Sequence, residues 1–259
     1  MRNLLPITNK QKEILILIYK FRFLTTNHLQ IILNHKNPHR IQAWLKDLTD
    51  KKYIQRHYSR KTFSDGSKPA VYYLASQARH ILKDQKDVSS KELDKVYKEN
   101  KRSQKFISHC LSIVDIFLFF ESQKKSNESL HFFTKGMLGE FAHFPDPLPD
   151  AYFAVKTVQK VNRYFLDLFE EYTPSFVVRA RIKNYLTYSE SRRWYEHTNS
   201  SVPTILLVLP NERVKKHIYW YAKSLLQKTF NDDPALFLAV KDNLVSQNKG
   251  IVWQKVEIS

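Results

Sequence analysis

Between Asn37 and Tyr73 two patterns stand back to back, and together they restrict the fold more than any other stretch. In NPHRIQAWLKDLTDKKYI, the apolar residues Ile41, Trp44, Leu45 and Leu48 recur at helical spacing. Asn37 can cap that helix, and Pro38 suits its first turn, where a missing N–H costs nothing. QRHYSRKTFSDGSKPAVYYL then changes to a period of two. It predicts a strand over Tyr53–Tyr58, a partner over Ala70–Leu74 and a turn at Asp65-Gly66. Two shorter helices precede this unit. One is capped by Thr8 or Asn9 and carries Ile14, Leu15, Leu17, Ile18 and Phe21 inward; the other is capped by Thr25 or Thr26, with Leu29, Ile32 and Leu33 inward. Three helices followed by a basic two-stranded hairpin, in about 65 residues, is the element order of a winged helix-turn-helix.

Charge falls in the same place. Residues 1–83 hold 16 lysines and arginines against 4 acidic residues, a net +12 out of the chain's +17, so the other 176 residues carry only +5. A local basic surplus is the footprint of a nucleic-acid module joined to something else. Asn37, His39, Arg40, Gln42 and Lys46 lie off the apolar stripe of the third helix, where arginine can read guanine and glutamine adenine. Arg56, Arg60, Lys61 and Lys68 decorate the hairpin, where cations meet phosphates and give affinity with little sequence information. Double-stranded DNA is the expected ligand.

The rest of the chain changes character. Asp84–Asn100 is charged and has no clear apolar face, and it reads as linker or exposed helix. KFISHCLSIVDIFLFFESQ is a helix apolar nearly all round, buried in a core or in a two-fold dimer interface, and its most apolar run is Ile107–Phe120, ISHCLSIVDIFLFF. It carries His109 and Asp115 and is shorter than a membrane span, so no membrane association is expected. Further on, AYFAV, KVNRYFLDLFEE, VPTILLVLP, LFLAV and NKGIVWQKV read as strands. Helices over about Ser175–Glu190 and along NERVKKHIYWYAKSLLQKTF alternate with them. VPTILLVLP is the continuous apolar type found inside a parallel sheet. The expected fold class is therefore α+β, with a winged helix-turn-helix over 1–83, a helical linker or dimerisation helix over 84–125, and an α/β domain over 126–259.

Several chemistries are excluded. Four glycines leave no Walker or dinucleotide loop. One cysteine, Cys110, permits no internal disulfide and no cysteine zinc site, which fits a reducing, cytoplasmic setting. His35 and His39 straddle Pro38 rather than sharing a helix, and no other histidine pair has metal spacing, so no metal is expected from them. The aromatic residues Tyr185, Tyr188, Trp194, Tyr195, Tyr219, Trp220 and Tyr221, with Arg192 and Arg193, could stack on single strands. Their helical spacing makes core packing or a protein interface the first expectation.

The order of short motifs along the chain carries a likeness. These are the His109-Cys110-Leu111 step in the apolar helix, Pro149-Asp150-Ala151, the acidic strand end YFLDLFEE, the helix with Lys183 and Tyr185, the strand VPTILLVLP, and Val252-Trp253. In that order they resemble the replication-relaxation family of plasmid and mobile-element proteins. The resemblance implies a winged-helix DNA-binding protein acting in replication, transfer or their regulation, with a C-terminal domain similar to a PD-(D/E)xK nuclease core. Such a core uses carboxylates to hold Mg²⁺ and a lysine near the attacking water. The matching positions are Asp150, Asp167 and Glu170, with Lys183 supplying the lysine from the following helix. Phe169 stands two residues after Asp167, where the motif needs a lysine or a second acidic group. The site therefore reads as vestigial, with no cofactor expected and Mg²⁺ at Asp150 and Asp167 only on a nuclease reading. A third reading makes the C-terminal domain a docking module for a relaxase or replication initiator.

Overall fold

The computed structural model describes residues 5–57, 69–85, 88–228, 234–241 and 253–257. The expected wing tip, with Asp65-Gly66, Arg60, Lys61 and Lys68, lies outside them, as does Val252. The chain is mixed α and β and divides into two compact units, Met1–Val114 and Asp115–Ser259.

The first unit begins with α1 (Asn9–Phe21). Its cap is reciprocal: the Thr8 N–H donates to Gln11 Oε1 at 2.9 Å, and the Gln11 N–H donates back to Thr8 Oγ1 at 3.3 Å. Ile14, Leu15, Ile18 and Phe21 form its buried face. Strand β1 (Leu24–Thr25) leads into α2 (Thr26–Ile32), where the Thr25 hydroxyl accepts from the His28 N–H at 3.2 Å. Asn34, at φ 47°, makes the left-handed turn that asparagine tolerates. Next comes α3 (Pro38–Asp50), with Asn37 Oδ1 accepting from the His39 N–H at 2.9 Å. Strands β2 (Ile54–His57) and β3 (Val71–Leu74) pair antiparallel, and β1 adds to the other edge of β3.

Short helices α4 (Arg79–Leu82) and α5 (Ser90–Leu93) follow, then a 3₁₀ turn over Val96–Lys101. The stretch expected as linker thus belongs to the first unit. It anchors through the isolated buried residues Leu93 and Val96. Glu99, also buried, pairs with Arg22, whose guanidinium lies 4.6 Å from the Phe106 ring.

The apolar run sits inside α6 (Gln104–Gln123), and the unit boundary falls within this helix. In the first unit its Ile107 and Cys110 pack with Phe23 and Tyr73. In the second its Phe117 meets Phe132 at 5.3 Å and its Phe120 meets Phe153 at 4.5 Å, ring centre to ring centre. The helix has 20 residues, against the 14 of its most apolar run. By length and composition alone it is long and apolar enough to cross a membrane, a test that core helices of globular proteins also pass. Its Ile107, Val114 and Ile116 are buried against protein.

The second unit is a six-stranded sheet in the order β4 (Ser129–Thr134), β5 (Ala151–Lys156), β6 (Val161–Leu168), β7 (Thr204–Leu209), β8 (Leu236–Val240) and β9 (Gln254–Lys255). Strands β6, β7 and β8 are parallel, and the other pairings are antiparallel. A short α7 (Lys135–Leu138) follows β4. The parallel strands are joined through α8 (Ser175–Glu190) with α9 (Arg193–Thr198), and through α10 (Glu212–Leu226). β7 is buried along almost its whole length, as its unbroken apolar sequence requires in the middle of a parallel sheet. Val178, Ile182 and Tyr185 of α8 and Ile218, Ala222 and Leu226 of α10 form one core with Phe165, Ile205 and Leu207 from the sheet.

Candidate nucleic-acid interface and carboxylate cluster

On the first unit, α2, α3 and the β2–β3 pair enclose a groove of about 810 Å³. Along α3, Gln42 and Lys46 are four residues apart, and Thr49 and Asp50 lie three and four residues beyond Lys46, so all of them face it. Thr26, Asn27 and Gln30 of α2 form one wall, and Arg56 and Tyr72 form the other. Asn37, His39, Gln42, Lys46 and Arg56 are all exposed. The caps and the packing of Ile41, Leu45 and Leu48 hold α3 in place while its polar side stays wet.

Arg40 lies elsewhere. Two residues from Gln42 is about 200° of helix rotation, and Arg40 lines a separate groove of about 500 Å³ with Trp44, Asp47, Lys51 and the Pro6–Thr8 segment. Its guanidinium sits 5.6 Å from the Trp44 ring. Asp47 is held below the usual carboxylate range by hydrogen bonds from Lys51, at 2.7 Å, and from Gln11. The structure thus gathers Gln42, Lys46 and Arg56 and places Arg40 on another face. Reading the sequence from α3 outward missed Thr26, Asn27 and Gln30. The signal was present, because the polar side of TNHLQIIL is opposite its apolar residues.

In the second unit Asp150 and Asp167 lie side by side at the ends of β5 and β6. The Asp150 N–H donates to Asp167 Oδ1 at 3.2 Å, and Asp150 Oδ2 accepts from the Leu168 N–H at 3.0 Å. Asp167 is buried, and an internal cation meets it. Arg181 Nε donates to Asp167 Oδ2 at 2.6 Å and its Nη2 to Oδ1 at 3.3 Å. The same guanidinium donates to the Tyr185 hydroxyl at 2.8 Å and to the Pro147 carbonyl. Tyr185 in turn donates to Asp167 Oδ2 at 2.7 Å. Burial works against the Arg181 charge, but the neighbouring Asp167 carboxylate outweighs it and raises the guanidinium pKa further. Burial, followed by the Asp167 charge, lifts the Tyr185 phenol well above its ordinary value.

Glu170 is bound by Lys241 Nζ at 2.7 and 2.8 Å. Phe169 is buried, and Lys183 is exposed on the outer side of α8. The lysine expected beside the carboxylates is therefore replaced there by Arg181. Arg181 shares the inward stripe of Val178, Ile182 and Tyr185, and two residues along the helix turn Lys183 the other way. That stripe was the signal available in the sequence. A divalent cation needs carboxylate oxygens free of a competing charge, and here both Asp167 oxygens are already engaged. The residues present do not fit a metal centre, and no group of three or more histidine, cysteine or acidic residues able to hold a metal occurs among the described residues.

Comparison with known proteins follows the same division of the chain. The sequence profile of the replication-relaxation family matches residues 15–203. The chain belongs to the replication-relaxation family. The family match begins within α1 and ends just before β7, so it takes in the groove, Asp150, Asp167 and Arg181. No curated protein matched the chain in a sequence comparison. Among solved structures, a mutant of ZitR from Lactococcus lactis is similar at 18% identity and a TM-score of 0.26, over 46% of this chain and 75% of that one. The restriction endonuclease FokI bound to DNA is similar at 11% identity and a TM-score of 0.33, over 91% of this chain and 43% of that one.

Proposed function

We propose that this member of the replication-relaxation family binds double-stranded DNA and acts in the control of replication, mobilisation or transcription of a plasmid or mobile element. The observation that carries this reading is the groove in which Gln42, Lys46 and Arg56 share one face with Thr26, Asn27 and Gln30. Three helices, the third capped and amphipathic, followed by an antiparallel pair, support the reading of residues 1–83 as a winged helix-turn-helix. On it, α3 enters the major groove with Gln42 and Lys46 towards base edges and Arg56 towards the phosphates, while Arg60, Lys61 and Lys68 extend the cationic arm. Operators of this kind are read by two-fold dimers, so a homodimer is part of the proposal. The second unit is read as a nuclease-like scaffold that docks a relaxase or replication initiator.

The test is duplex binding in a gel-shift assay, on a site selected from a random duplex pool. Lys46→Ala with Arg56→Ala should weaken binding at least tenfold. Unchanged binding would sink the proposal. The alternative, Mg²⁺-dependent cleavage at Asp150 and Asp167, has the Arg181 contacts against it. Incubating supercoiled plasmid with the protein and Mg²⁺ or Mn²⁺ should give no nicking.

A further inference from the structure

Helices α8 and α10 pack on the second unit's sheet, and the outer side of α10 is unlike its inner one. Ile218, Ala222 and Leu226 turn α10 inward. On the opposite side stand Arg213, Lys216, His217 and Trp220, all exposed, at steps of three and four residues. Trp220 is 59% exposed, in contrast to Trp194 at 2%. Of the helical aromatics expected in the core or at a protein interface, Tyr185 and Trp194 are in the core and Trp220 is not. Holding so much indole in water forgoes the burial that would stabilise the fold, so packing does not account for it.

What surrounds the indole decides its use. Between Glu212 and Leu226 the helix carries Arg213, Lys215, Lys216 and Lys223 against the single acid Glu212. Lys223 Nζ lies 5.8 Å from the Trp220 ring centre. On α8, Arg179 sits 5.6 Å from the Tyr221 ring, linking the two helices' outer edges. A protein-docking face would ring a central aromatic with apolar side chains. Here the positions three and four residues either side of Trp220 include Lys216 and Lys223. Cations spaced around an accessible indole are the elements of a single-strand platform, where phosphates meet the charges and an unpaired base stacks on the ring. A duplex keeps its base faces closed and cannot use the indole in this way.

We infer that the outer face of α8 and α10 binds single-stranded nucleic acid, with Trp220 as the stacking residue and Arg179, Arg213, Lys216 and Lys223 facing phosphates. This surface is separate from the groove of the first unit and does not depend on what that groove binds. The full chain is titrated with fluorescein-labelled (dT)20 and (rU)20 in polarisation assays at several salt concentrations, with the selected duplex alongside. Wild type should bind at least one of the two single strands, more weakly as salt rises, and the two arms tell DNA from RNA. Trp220→Ala should weaken that binding about 5- to 150-fold, the fold-change equivalent to one stacked base. Arg213→Glu with Lys216→Glu should abolish most of it. Both variants should melt as wild type does and keep duplex binding. The inference is overturned by absence of single-strand binding, by wild-type binding in both variants, or by loss of single-strand binding in Lys46→Ala with Arg56→Ala. It is equally overturned if Trp220→Ala dissolves a dimer in sedimentation while leaving single-strand binding intact.

Discussion

Lys46 and Arg56 stand in water along a groove, whereas Arg181 is 6% exposed and bonded to a buried carboxylate. Each region joins a charged residue on a helix to one on a strand, yet their energetics run in opposite directions. An exposed charge adds little to stability. A cation buried against Asp167 has lost its water. The pair holds together because each member compensates the other, and removing one leaves an uncompensated buried charge. The groove is thus open to solvent, and the carboxylate cluster is closed on itself.

The largest break in this comparison should come at Arg181. Arg181→Ala should destabilise the second unit by about 3–5 kcal/mol, the cost of stripping a buried ion pair of one partner. Urea unfolding followed by tryptophan fluorescence measures it, and a wild-type transition would show that the pair is not structural. Replacing both members, Asp167→Leu with Arg181→Met, should cost clearly less than the two single changes added together.

Next in size is DNA affinity. Lys46→Ala with Arg56→Ala should lower the slope of log affinity against log salt by about 0.9, the share of the one phosphate contact that Arg56 makes, without moving the unfolding transition. A stability loss in place of an affinity loss would place these residues with Arg181 in the structural class.

The phenol of Tyr185 gives a pH test. Its pKa is raised in the folded state, so the folded protein holds that proton more tightly than the unfolded chain does. The stabilising contribution is complete below the ordinary tyrosine value of about 10 and is lost as pH rises above it. Stability should therefore fall above pH 10 by up to about 1.4 kcal/mol per pH unit from this residue. Tyr185→Phe should flatten that part of a stability-against-pH curve, and an unchanged alkaline limb would reject the assignment. The smallest contrast lies within α3 itself. Arg40→Ala, on the second groove, should change duplex affinity less than threefold. Gln42→Ala should cost about 1–3 kcal/mol of discrimination at one base pair. Equal effects would merge the two faces of the helix.

Much of the first unit was legible because its signals are local. Thr8, Thr25 and Asn37 cap where their side chains can reach the next turn, and the apolar period of α3 needs no tertiary information. The same holds for α8, whose observed span is the expected one. Strand order was not legible. Periodicity tells which face of β5 or β6 is apolar, but not that β4 lies at one edge or that β9 returns antiparallel to β8. Residues 84–100 were misjudged for a related reason. Single anchors such as Leu93 and Val96 make no pattern, yet each is buried. At the carboxylates the acidic residues were found and the basic one was not. The choice between Arg181 and Lys183 is a matter of about 200° around a helix, visible once α8 is registered against its own buried stripe.

The boundary at Val114 has a consequence for how the protein is made. Everything the first unit packs comes from residues that leave the ribosome before the second sheet begins. The second sheet is different: β6 must wait for β7, 36 residues further along from Leu168 to Thr204, and β7 for β8 beyond α10. Parallel pairings of that separation form slowly, because distant segments must meet before any hydrogen bond rewards them. Synthesis therefore delivers a folded first unit ahead of its slower companion. During that interval the chain already carries its basic groove.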